Sequence, residues 1–247
     1  MTPDPFKLFL DVQLDLPRNG PGSRAATQEV FACLRDLPAK PAILDIGCGQ
    51  APEAFDLLEV TDGHITAVDL FEPFLDKASA RAEAEGVGDD RLAFERGDMA
   101  ELEYDDESFD LIWSEGAIYL LGFEEGLRAW ARFVKRGGFV VVSELTWLKS
   151  KRTPIAESFW GNAYPEMGTV ASNRAAAVAA GYEVIGTMIL PLDDWRENYY
   201  TPMRAAIADA RRRHGPQAAL DEMEDEITVF EKSAGDYSYV FYILKRL

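Results

Sequence analysis

An apolar run that ends in two closely spaced glycines constrains this chain more than any other feature of its sequence. Residues 42–49 read Ala-Ile-Leu-Asp-Ile-Gly-Cys-Gly, and Pro52 follows shortly after. The apolar residues predict a buried strand, and the fixed φ of proline suits the first turn of a helix. Gly47 and Gly49 allow positive φ and let a ligand approach the backbone without meeting a Cβ atom. The sequence therefore predicts a strand, a tight ligand-binding turn and the start of a helix.

Two kinds of cofactor site compete for this turn. A dinucleotide site has the pattern Gly-x-Gly-x-x-Gly, but Pro52 stands at the third glycine position. Asp45, at the end of the strand, is instead placed to accept a hydrogen bond from a cationic amine. The stretch resembles motif I, Asp-x-Gly-x-Gly, of the class I methyltransferases that use S-adenosylmethionine. This resemblance implies that the amino acid end of the cofactor is bound by Asp45, Gly47, Cys48 and Gly49.

Strand and helix patterns alternate after Pro41, which favours a mostly parallel sheet covered by helices on both faces. After the first strand, the predicted strands are 64–69, 92–96, 109–114, 139–145, 182–190 and 237–244. The predicted helices are 23–37, 73–86, 123–134, 169–180, 201–213 and 217–233. The regular alternation loosens over residues 148–168, and we expect the insertions there and around 191–235 to form a helical lid together with the N-terminal segment. The family resemblance implies a Rossmann-like α/β fold with seven strands in the order 3-2-1-4-5-7-6, the last strand antiparallel.

The length of 247 residues and this alternation predict one domain over residues 1–247. We expect residues 1–37 to form lid helices and residues 38–147 to form the cofactor-binding core. Residues 148–247 would then supply the acceptor-side insertions together with strands six and seven. The segment from Arg18 to Ser23 is the candidate lid loop, because leading helices in this family often lie over the cofactor.

Composition excludes several classes of partner. The net charge of −18 would repel a nucleic acid backbone, so no nucleic acid partner is expected. No apolar stretch approaches the length of a membrane span, and the N-terminus lacks the basic start of a signal peptide, which predicts a cytoplasmic protein without a membrane partner. Two cysteines and two histidines are too few for a metal centre or a His-dependent hydrolase, so no metal is expected. The oligomeric state stays open.

Aspartates follow three successive predicted strands. Asp69 stands close to the position of a ribose-binding acid after a glycine turn. A lone acid at a strand end is more often a loop cap than a ligand, but Asp45, Asp69 and Asp98 together favour a binding site, because ligands bind at these strand ends. The resemblance further implies contacts from Leu70, Asp98 and Met99 to the adenine. It also implies that Ser114 and Glu115 lie nearest the methionine moiety.

Carboxylates and aromatic residues crowd the segments expected around the methyl acceptor. Glu115 and Glu144 are expected near the mouth of the site. The aromatic residues proposed for the substrate pocket are Trp147, Trp160, Tyr164, Tyr199 and Tyr200, with Phe159 and Trp195 nearby. Carboxylates among aromatic rings suit a cationic or amine-bearing small molecule, although core packing is the alternative for any single ring. Glu115 is the candidate catalytic residue, predicted to orient or deprotonate an amine.

Other segments resemble a bacterial subgroup of small class I methyltransferases. They are Trp113–Tyr119, Gly20–Ser23, Phe159–Trp160 and Tyr164–Glu166. The resemblance implies in-line methyl transfer from S-adenosylmethionine to a small-molecule acceptor, with S-adenosylhomocysteine as product, but it leaves the acceptor open. Three alternatives stand beside it: a methyltransferase acting on a protein side chain, a non-catalytic protein that binds the cofactor, and an NAD-dependent oxidoreductase.

Overall fold

Seven strands form one sheet in a computed structural model that describes residues 4–233 and 235–247. The strands are β1 (Ala42–Ile46), β2 (His64–Asp69), β3 (Leu92–Arg96), β4 (Phe109–Glu115), β5 (Val134–Trp147), β6 (Tyr182–Ile189) and β7 (Tyr237–Arg246). Their order is β3-β2-β1-β4-β5-β7-β6. The first five strands pair in parallel, and β7 runs antiparallel to both β5 and β6. The predicted strand order and the direction of the last strand are confirmed.

Ten α-helices surround the sheet within the described residues. They are α1 (Pro5–Leu14), α2 (Arg24–Phe31), α3 (Pro52–Leu58), α4 (Glu72–Glu85), α5 (Phe123–Trp130), α6 (Pro154–Ala163), α7 (Val170–Ala179), α8 (Leu192–Trp195), α9 (Thr201–His214) and α10 (Ala218–Lys232). A 3₁₀ turn covers Ile118–Leu120 and a π-helical turn covers Arg196–Tyr200. None of these helices combines the length and the apolar character that crossing a membrane requires.

Buried side chains cover both faces of the sheet, because neighbouring residues on a strand point to opposite sides. On β1, Ile43 belongs to the core layer that includes residues of α1, α2, α9 and α10, whereas Leu44 belongs to the layer that includes residues of α5 and α7. The same alternation places Phe241 and Tyr242 of β7 in different layers. A central strand that is buried on both faces is what the apolar run 237–244 predicts.

Two local predictions are wrong. The helix predicted over 23–37 ends at Phe31 and gives way to tighter turns, and Asp36 takes a positive φ of 71°. Val134 was expected on a helix, but the helix ends at Trp130 and Val134 opens β5, where it pairs with Phe109. The insertion over residues 148–168 contains α6, which has Pro154 in its first turn. Residues 1–3 of the predicted N-terminal lid lie outside the described residues.

Candidate cofactor and acceptor site

The glycine turn after β1 is tied to the neighbouring strand. The backbone N–H groups of Gly47 and Cys48 donate to the Val68 carbonyl at 2.8 and 3.1 Å. Gly47 has a φ of 73°, and a Cβ atom there would lie 2.5 Å from the Cβ atom of Ala117. A side chain therefore fits neither the backbone conformation nor the space at Gly47, so the turn requires glycine.

Asp45 lies on the strand that leads into this turn, and one of its carboxylate oxygens has no hydrogen-bond partner. The residue is 1% exposed, and its Oδ2 atom forms no hydrogen bond with any described residue. Burial raises the pKa of Asp45 well above its usual range, and the carboxylates of Glu53, Glu115 and Asp69 raise it further. A buried acid with an unsatisfied oxygen is costly unless a donor completes it, and a cationic amine is such a donor.

Asp69 is held rigidly at the end of β2, beside the glycine turn. Its Oδ2 accepts from the Gly49 N–H at 2.8 Å and its Oδ1 accepts from the Phe71 N–H at 2.9 Å. Burial raises the pKa of Asp69, and the backbone N–H groups oppose that shift. Leu70 follows it and is 45% exposed, which leaves its side chain free to cover a flat ring. The structure thus brings Asp45 and Asp69 to one edge of the sheet, at the same turn.

Asp98 and Met99, in the turn after β3, have different exposure and different contacts. Asp98 is exposed, and its Oδ1 accepts from the Ala100 N–H at 2.9 Å, which is a loop-capping contact. Met99 lies against the glycine turn, because its Cε atom is 3.4 Å from where a Cβ atom on Gly47 would sit. Its carbonyl accepts from the Trp130 indole N–H at 3.0 Å. The adenine contacts expected of Asp98 and Met99 stay predictions.

Ser114 and Glu115 end β4 in two different roles. The Ser114 hydroxyl donates to the Ile46 carbonyl at 2.8 Å and is fully buried between the strands. Glu115 Oε1 accepts from Thr27 Oγ1 and from the Trp113 indole N–H, both at 2.9 Å. Burial, with a further contribution from Glu53, raises the pKa of Glu115 to about 8. Glu115 is therefore fixed on the side of the site that faces α2.

The segment from Arg18 to Ser23, the candidate lid loop, contacts this acidic group directly. Arg18 donates to Glu53 at 3.0 Å and also pairs with Asp56, both on α3. Nearby carboxylates hold the pKa of Arg18 above its ordinary value although burial opposes this. A Cβ atom on Gly22 would lie 3.2 Å from Glu115 Oε2. The role of Glu53 was missed in the sequence, since an acid in the first turn of a helix usually has only a capping role.

Further polar contacts fasten the lid loop to the rest of the fold. Asn19 Oδ1 accepts from the Gln50 N–H at 3.0 Å, next to the glycine turn. The Ser23 hydroxyl donates to Asp194 Oδ2 at 2.8 Å, and the Asn198 side chain donates to the Gly22 carbonyl at 2.8 Å. The loop therefore joins the cofactor-side turn to the segment that follows β6.

Glu144 is the second buried acid that the sequence analysis singled out. It lies on β5, is 1% exposed, and neither of its carboxylate oxygens completes a hydrogen bond with a described residue. Burial raises the pKa of Glu144 to about 8, although the nearby Tyr164 hydroxyl and the Leu145 N–H lower it somewhat. The ring of Tyr164 packs against Tyr119 at a centroid distance of 5.8 Å. The structure thus places Tyr164 beside Glu144, and their role in a substrate pocket stays a prediction.

The other aromatic residues predicted for the pocket are placed in two groups. Trp147 and Trp160 pack edge-on against Tyr237, with ring centroids 5.9 and 5.2 Å away, and this cluster belongs to the core. Tyr199 and Tyr200 lie beside each other at 5.2 Å. The Tyr199 hydroxyl accepts from Gln13 Nε2 at 3.1 Å. Core packing thus accounts for the two tryptophans.

Two further residues, Tyr239 and Glu226, were missed. Tyr239 on β7 stacks on Trp195 at 5.2 Å, and its hydroxyl lies 3.4 Å from the Cβ position of Gly116. Glu226 on α10 accepts from the Tyr200 hydroxyl at 2.8 Å. A tyrosine in an apolar strand and an acid beside an apolar helix stripe carry no separate signal in a sequence.

Among residues 4–233 and 235–247, no group of three or more His, Cys, Asp and Glu side chains is arranged to hold a metal ion. Glu53, Asp69 and Glu115 lie close enough to Asp45 to raise its pKa. Glu115 faces Arg18 and Gly22 on one side, and Gly116 faces Tyr239 on the other.

A known family matches the part of the chain that contains the glycine turn. Residues 43–138, from β1 to the start of β5, match a family model described as "Methyltransferase domain". The matched range contains the glycine turn together with Asp45, Asp69 and Glu115. This part of the chain is therefore similar to a methyltransferase domain.

Solved structures share this methyltransferase fold over nearly the whole chain. A SAM-dependent methyltransferase from Geobacter sulfurreducens in complex with S-adenosyl-L-homocysteine has a TM-score of 0.83 and 19% identity, covering 98% of both chains. A second one, from Thiobacillus denitrificans with the same ligand, has a TM-score of 0.82 and 20% identity, covering 100% of both chains. At these identities the likeness concerns the fold.

Curated methyltransferases match by sequence over part of their length. Sterol 24-C-methyltransferase ERG6B from Gibberella zeae is 26% identical over 220 residues, which is 84% of this chain and 54% of that protein. The 27-O-demethylrifamycin SV methyltransferase from Amycolatopsis mediterranei is 32% identical over 115 residues, 46% of this chain and 42% of that protein. The chain thus spans about half the length of these curated relatives.

The residues around the glycine turn fit S-adenosylmethionine, the methyl donor that the resemblance to methyltransferases implies. The unpartnered Asp45 oxygen suits its ammonium group, and Asp69 retains acceptor capacity for ribose hydroxyls. The glycine turn offers a backbone approach without a side chain. Three carboxylates raise the pKa of Asp45 and the Arg18 guanidinium lowers it, and this surplus of negative charge suits a ligand that carries positive charge.

Proposed function

We propose that this protein transfers the methyl group of S-adenosylmethionine to the nitrogen of a small amine. The observation that carries the proposal is Glu144, a buried carboxylate that forms no ion pair with any described residue and lies beside the Tyr164 hydroxyl. It lies on the strand next to β4, and its carboxylate is near Tyr239, which adjoins Gly116. A carboxylate that is shielded from water among phenol rings is suited to bind an N–H group or a cationic nitrogen.

On the cofactor side, the proposed roles follow from the contacts described above. Asp45 would hold the ammonium group, Asp69 the ribose hydroxyls, and Leu70 would cover the adenine. The bound cofactor supplies a methyl group on a positively charged sulfur, which is already a good leaving group. The protein is then required mainly to align the acceptor and to exclude water.

On the acceptor side, we assign to Glu144 the role that the sequence analysis gave to Glu115. An amine attacks through its free electron pair, so a protonated amine must lose one proton before the N–C bond forms and the S–C bond breaks. Glu144, with its pKa raised to about 8, is suited to accept that proton. Glu115 Oε1 already accepts two hydrogen bonds, from Thr27 and Trp113. We therefore assign Glu115 to positioning of the cofactor and the lid loop.

A small-molecule acceptor is favoured over a protein side chain by what covers the carboxyl ends of the strands. The lid loop is hydrogen-bonded to Gln50 through Asn19 and to Asn198 through Gly22. The rings of Tyr119 and Tyr164 pack against each other near Glu144. A folded protein surface has little room to approach such a site. The curated relatives named above include enzymes whose names give a sterol and a rifamycin as substrate, which are also small molecules.

The experiment that tests the proposal has two stages. Calorimetry with S-adenosylmethionine and, separately, NADH is expected to show binding of the former alone. Release of S-adenosylhomocysteine is then measured with a panel of primary and secondary amines, alcohols and thiols. We expect turnover with amines and loss of that turnover in Glu144→Gln. Binding of the cofactor without turnover on any acceptor would instead support the non-catalytic alternative.

A further inference from the structure

Arg18 is the only Lys or Arg that is buried among residues 4–233 and 235–247. It begins the lid loop and is 7% exposed. Its Nη1 atom donates to Glu53 Oε1 at 3.0 Å, and its Nη2 atom donates to Asp56. A guanidinium group has five N–H donors, so these two hydrogen bonds leave donors for a further acceptor.

The lid loop places Arg18 beside the glycine turn. Its partner Glu53 lies in the first turn of α3, the helix that begins just after the glycine turn. The next residue of the loop, Asn19, has its Oδ1 atom 2.5 Å from where a Cβ atom on Gly49 would lie. The same oxygen accepts from the Gln50 N–H at 3.0 Å. The start of the lid loop therefore lies directly on the turn that the cofactor is expected to approach.

Gly22, at the other end of the lid loop, lies between Arg18 and the end of β4. A Cβ atom on Gly22 would lie 3.1 Å from Arg18 Nη1 and 3.2 Å from Glu115 Oε2. The Arg18 guanidinium also lowers the pKa of Asp45, which agrees with a position near that carboxylate. Arg18 is thus enclosed by the glycine turn and the end of β4, the two segments that the family resemblance assigns to the methionine moiety of the cofactor.

The amino acid end of S-adenosylmethionine carries a carboxylate as well as an ammonium group. The acids of this site suit the ammonium group, but Asp45, Glu53 and Glu115 would repel the carboxylate when they are ionised. An anion placed among buried carboxylates is unfavourable unless a cation compensates it. Arg18 is the buried cation of this group, and an arginine can donate two parallel hydrogen bonds to one carboxylate.

We infer that Arg18 binds the carboxylate of the cofactor's amino acid end and that this contact closes the lid loop over the bound cofactor. Arg18 then joins the cofactor to α3 through Glu53 and Asp56. A ligand that lacks the carboxylate should bind more weakly and leave the loop open. The inference concerns the cofactor and goes beyond the proposed function, because it holds for any acceptor.

Ligand binding without chemistry provides the first test. S-adenosylhomocysteine and its decarboxylated analogue, which keeps the ammonium group and the adenosine, are titrated calorimetrically into the wild-type protein. We expect S-adenosylhomocysteine to bind about tenfold more tightly or better, because it alone forms the charge-assisted hydrogen bonds to Arg18. Equal affinities would overturn the inference.

Substitutions at two arginines identify the residue responsible. Arg18→Gln should bind both ligands with nearly equal affinity, whereas Arg18→Lys keeps the charge and should retain part of the preference. Arg24→Gln is the matched control, because Arg24 also pairs with Asp56 but is 60% exposed, and we expect its preference to be unchanged. Unchanged affinity for adenosine shows that each variant is folded. A preference that survives in Arg18→Gln would contradict the assignment.

Limited proteolysis of the wild type near residues 18–23 tests the closing of the loop and requires no variant. With the protein saturated by either ligand, S-adenosylhomocysteine should slow cleavage severalfold, whereas the decarboxylated analogue should leave the rate close to that of the ligand-free protein. Equal protection by the two ligands would show that the loop closes without the carboxylate and would overturn the inference. None of these measurements involves turnover, so their outcome is separate from that of the proposed methyl transfer.

Discussion

The hydroxyl of Tyr239 lies 3.4 Å from the position that a Cβ atom would occupy on Gly116. Gly116 follows β4 with a φ of 64°, and its N–H donates to Ser143 Oγ at 2.8 Å. No other described side chain forms a hydrogen bond with the Tyr239 hydroxyl, whereas its ring is fixed by stacking on Trp195. β7 thus places the Tyr239 hydroxyl between the cofactor side and the acceptor side of the site.

Tyr239→Phe is therefore expected to lower catalytic activity while leaving the stability of the fold nearly unchanged. The variant keeps the ring and its stacking, and no intramolecular hydrogen bond is lost, so the free energy of unfolding should change by less than about 0.5 kcal/mol. If the hydroxyl contacts the acceptor, kcat/KM for that acceptor should fall about tenfold, as for other lost polar contacts. Urea unfolding and steady-state kinetics provide the two readouts. Unchanged kinetics would remove Tyr239 from the acceptor site.

Gly47→Ala is expected to abolish cofactor binding and to destabilise the protein by about 2 to 4 kcal/mol, because its new Cβ atom meets Ala117 in a left-handed backbone. Gly86→Ala is the matched control. Gly86 has nearly the same φ, 71°, but nothing lies within 4 Å of its Cβ position. Its cost should stay near 1 kcal/mol with cofactor affinity unchanged. Calorimetric titration of S-adenosylhomocysteine measures the affinities. Similar losses in both variants would show that backbone strain alone is responsible.

The raised pKa of Glu144 predicts a pH-dependent difference in stability. Its folded-state pKa of about 8 exceeds the usual 4.5, so the protonated form stabilises the fold below pH 4.5 and this contribution is lost as the pH rises to about 8. Glu144→Gln stays neutral throughout. The variant should match the wild type below pH 4.5 and exceed its free energy of unfolding by up to about 5 kcal/mol at pH 8.5. Urea unfolding across this range is the measurement, and a constant difference would contradict the assignment.

Arg18→Ala should loosen the lid loop. The Arg18 side chain is 9% exposed and pairs with Glu53 and Asp56, so its removal leaves buried acids without compensation and should cost about 3 kcal/mol. Arg24 also pairs with Asp56 but is 60% exposed, and Arg24→Ala should cost less than about 1 kcal/mol. Limited proteolysis near residues 18–23 reports the opening directly. We expect faster cleavage in Arg18→Ala and protection of the wild type by S-adenosylhomocysteine.

Cysteine modification gives a test that requires no variant. Cys33 is exposed, whereas Cys48 is buried in the glycine turn, where burial and the neighbouring Asp45 raise the pKa of its thiol. Since the thiolate is the reactive form, iodoacetamide at pH 8 should modify Cys33 and spare Cys48 in the folded protein. Mass spectrometry after digestion reads both positions. Rapid alkylation of Cys48 would mean that the turn opens in solution.

The sequence was most informative where a single local pattern determines the structure. The glycine turn and the strands bearing Asp45 and Asp69 lie where their residues predict, and the family resemblance supplied the order of the strands. By contrast, the end of α2 at Phe31 and the start of β5 at Val134 depend on tertiary pairing, which overrides helical spacing.

The acceptor side was harder to predict for a different reason. Glu226 lies beside Ile227 at the edge of the apolar stripe of α10, where a charged residue normally faces water. Trp147 was predicted for the pocket by residue type, but it lies three residues from Glu144 on the same strand and so points to the other face. Which side chains meet in the pocket depends on how α10 and the π-helical turn pack, and this packing leaves no local pattern.

The position of β7 has a consequence for biosynthesis. This strand lies between β5 and β6, yet it is the last of the seven in chain order. During synthesis the earlier strands can assemble, but β5 presents an unpaired apolar edge until β7 has been made. Such edges favour intermolecular association. The partly synthesised chain is therefore expected to be prone to association until β7 pairs with β5.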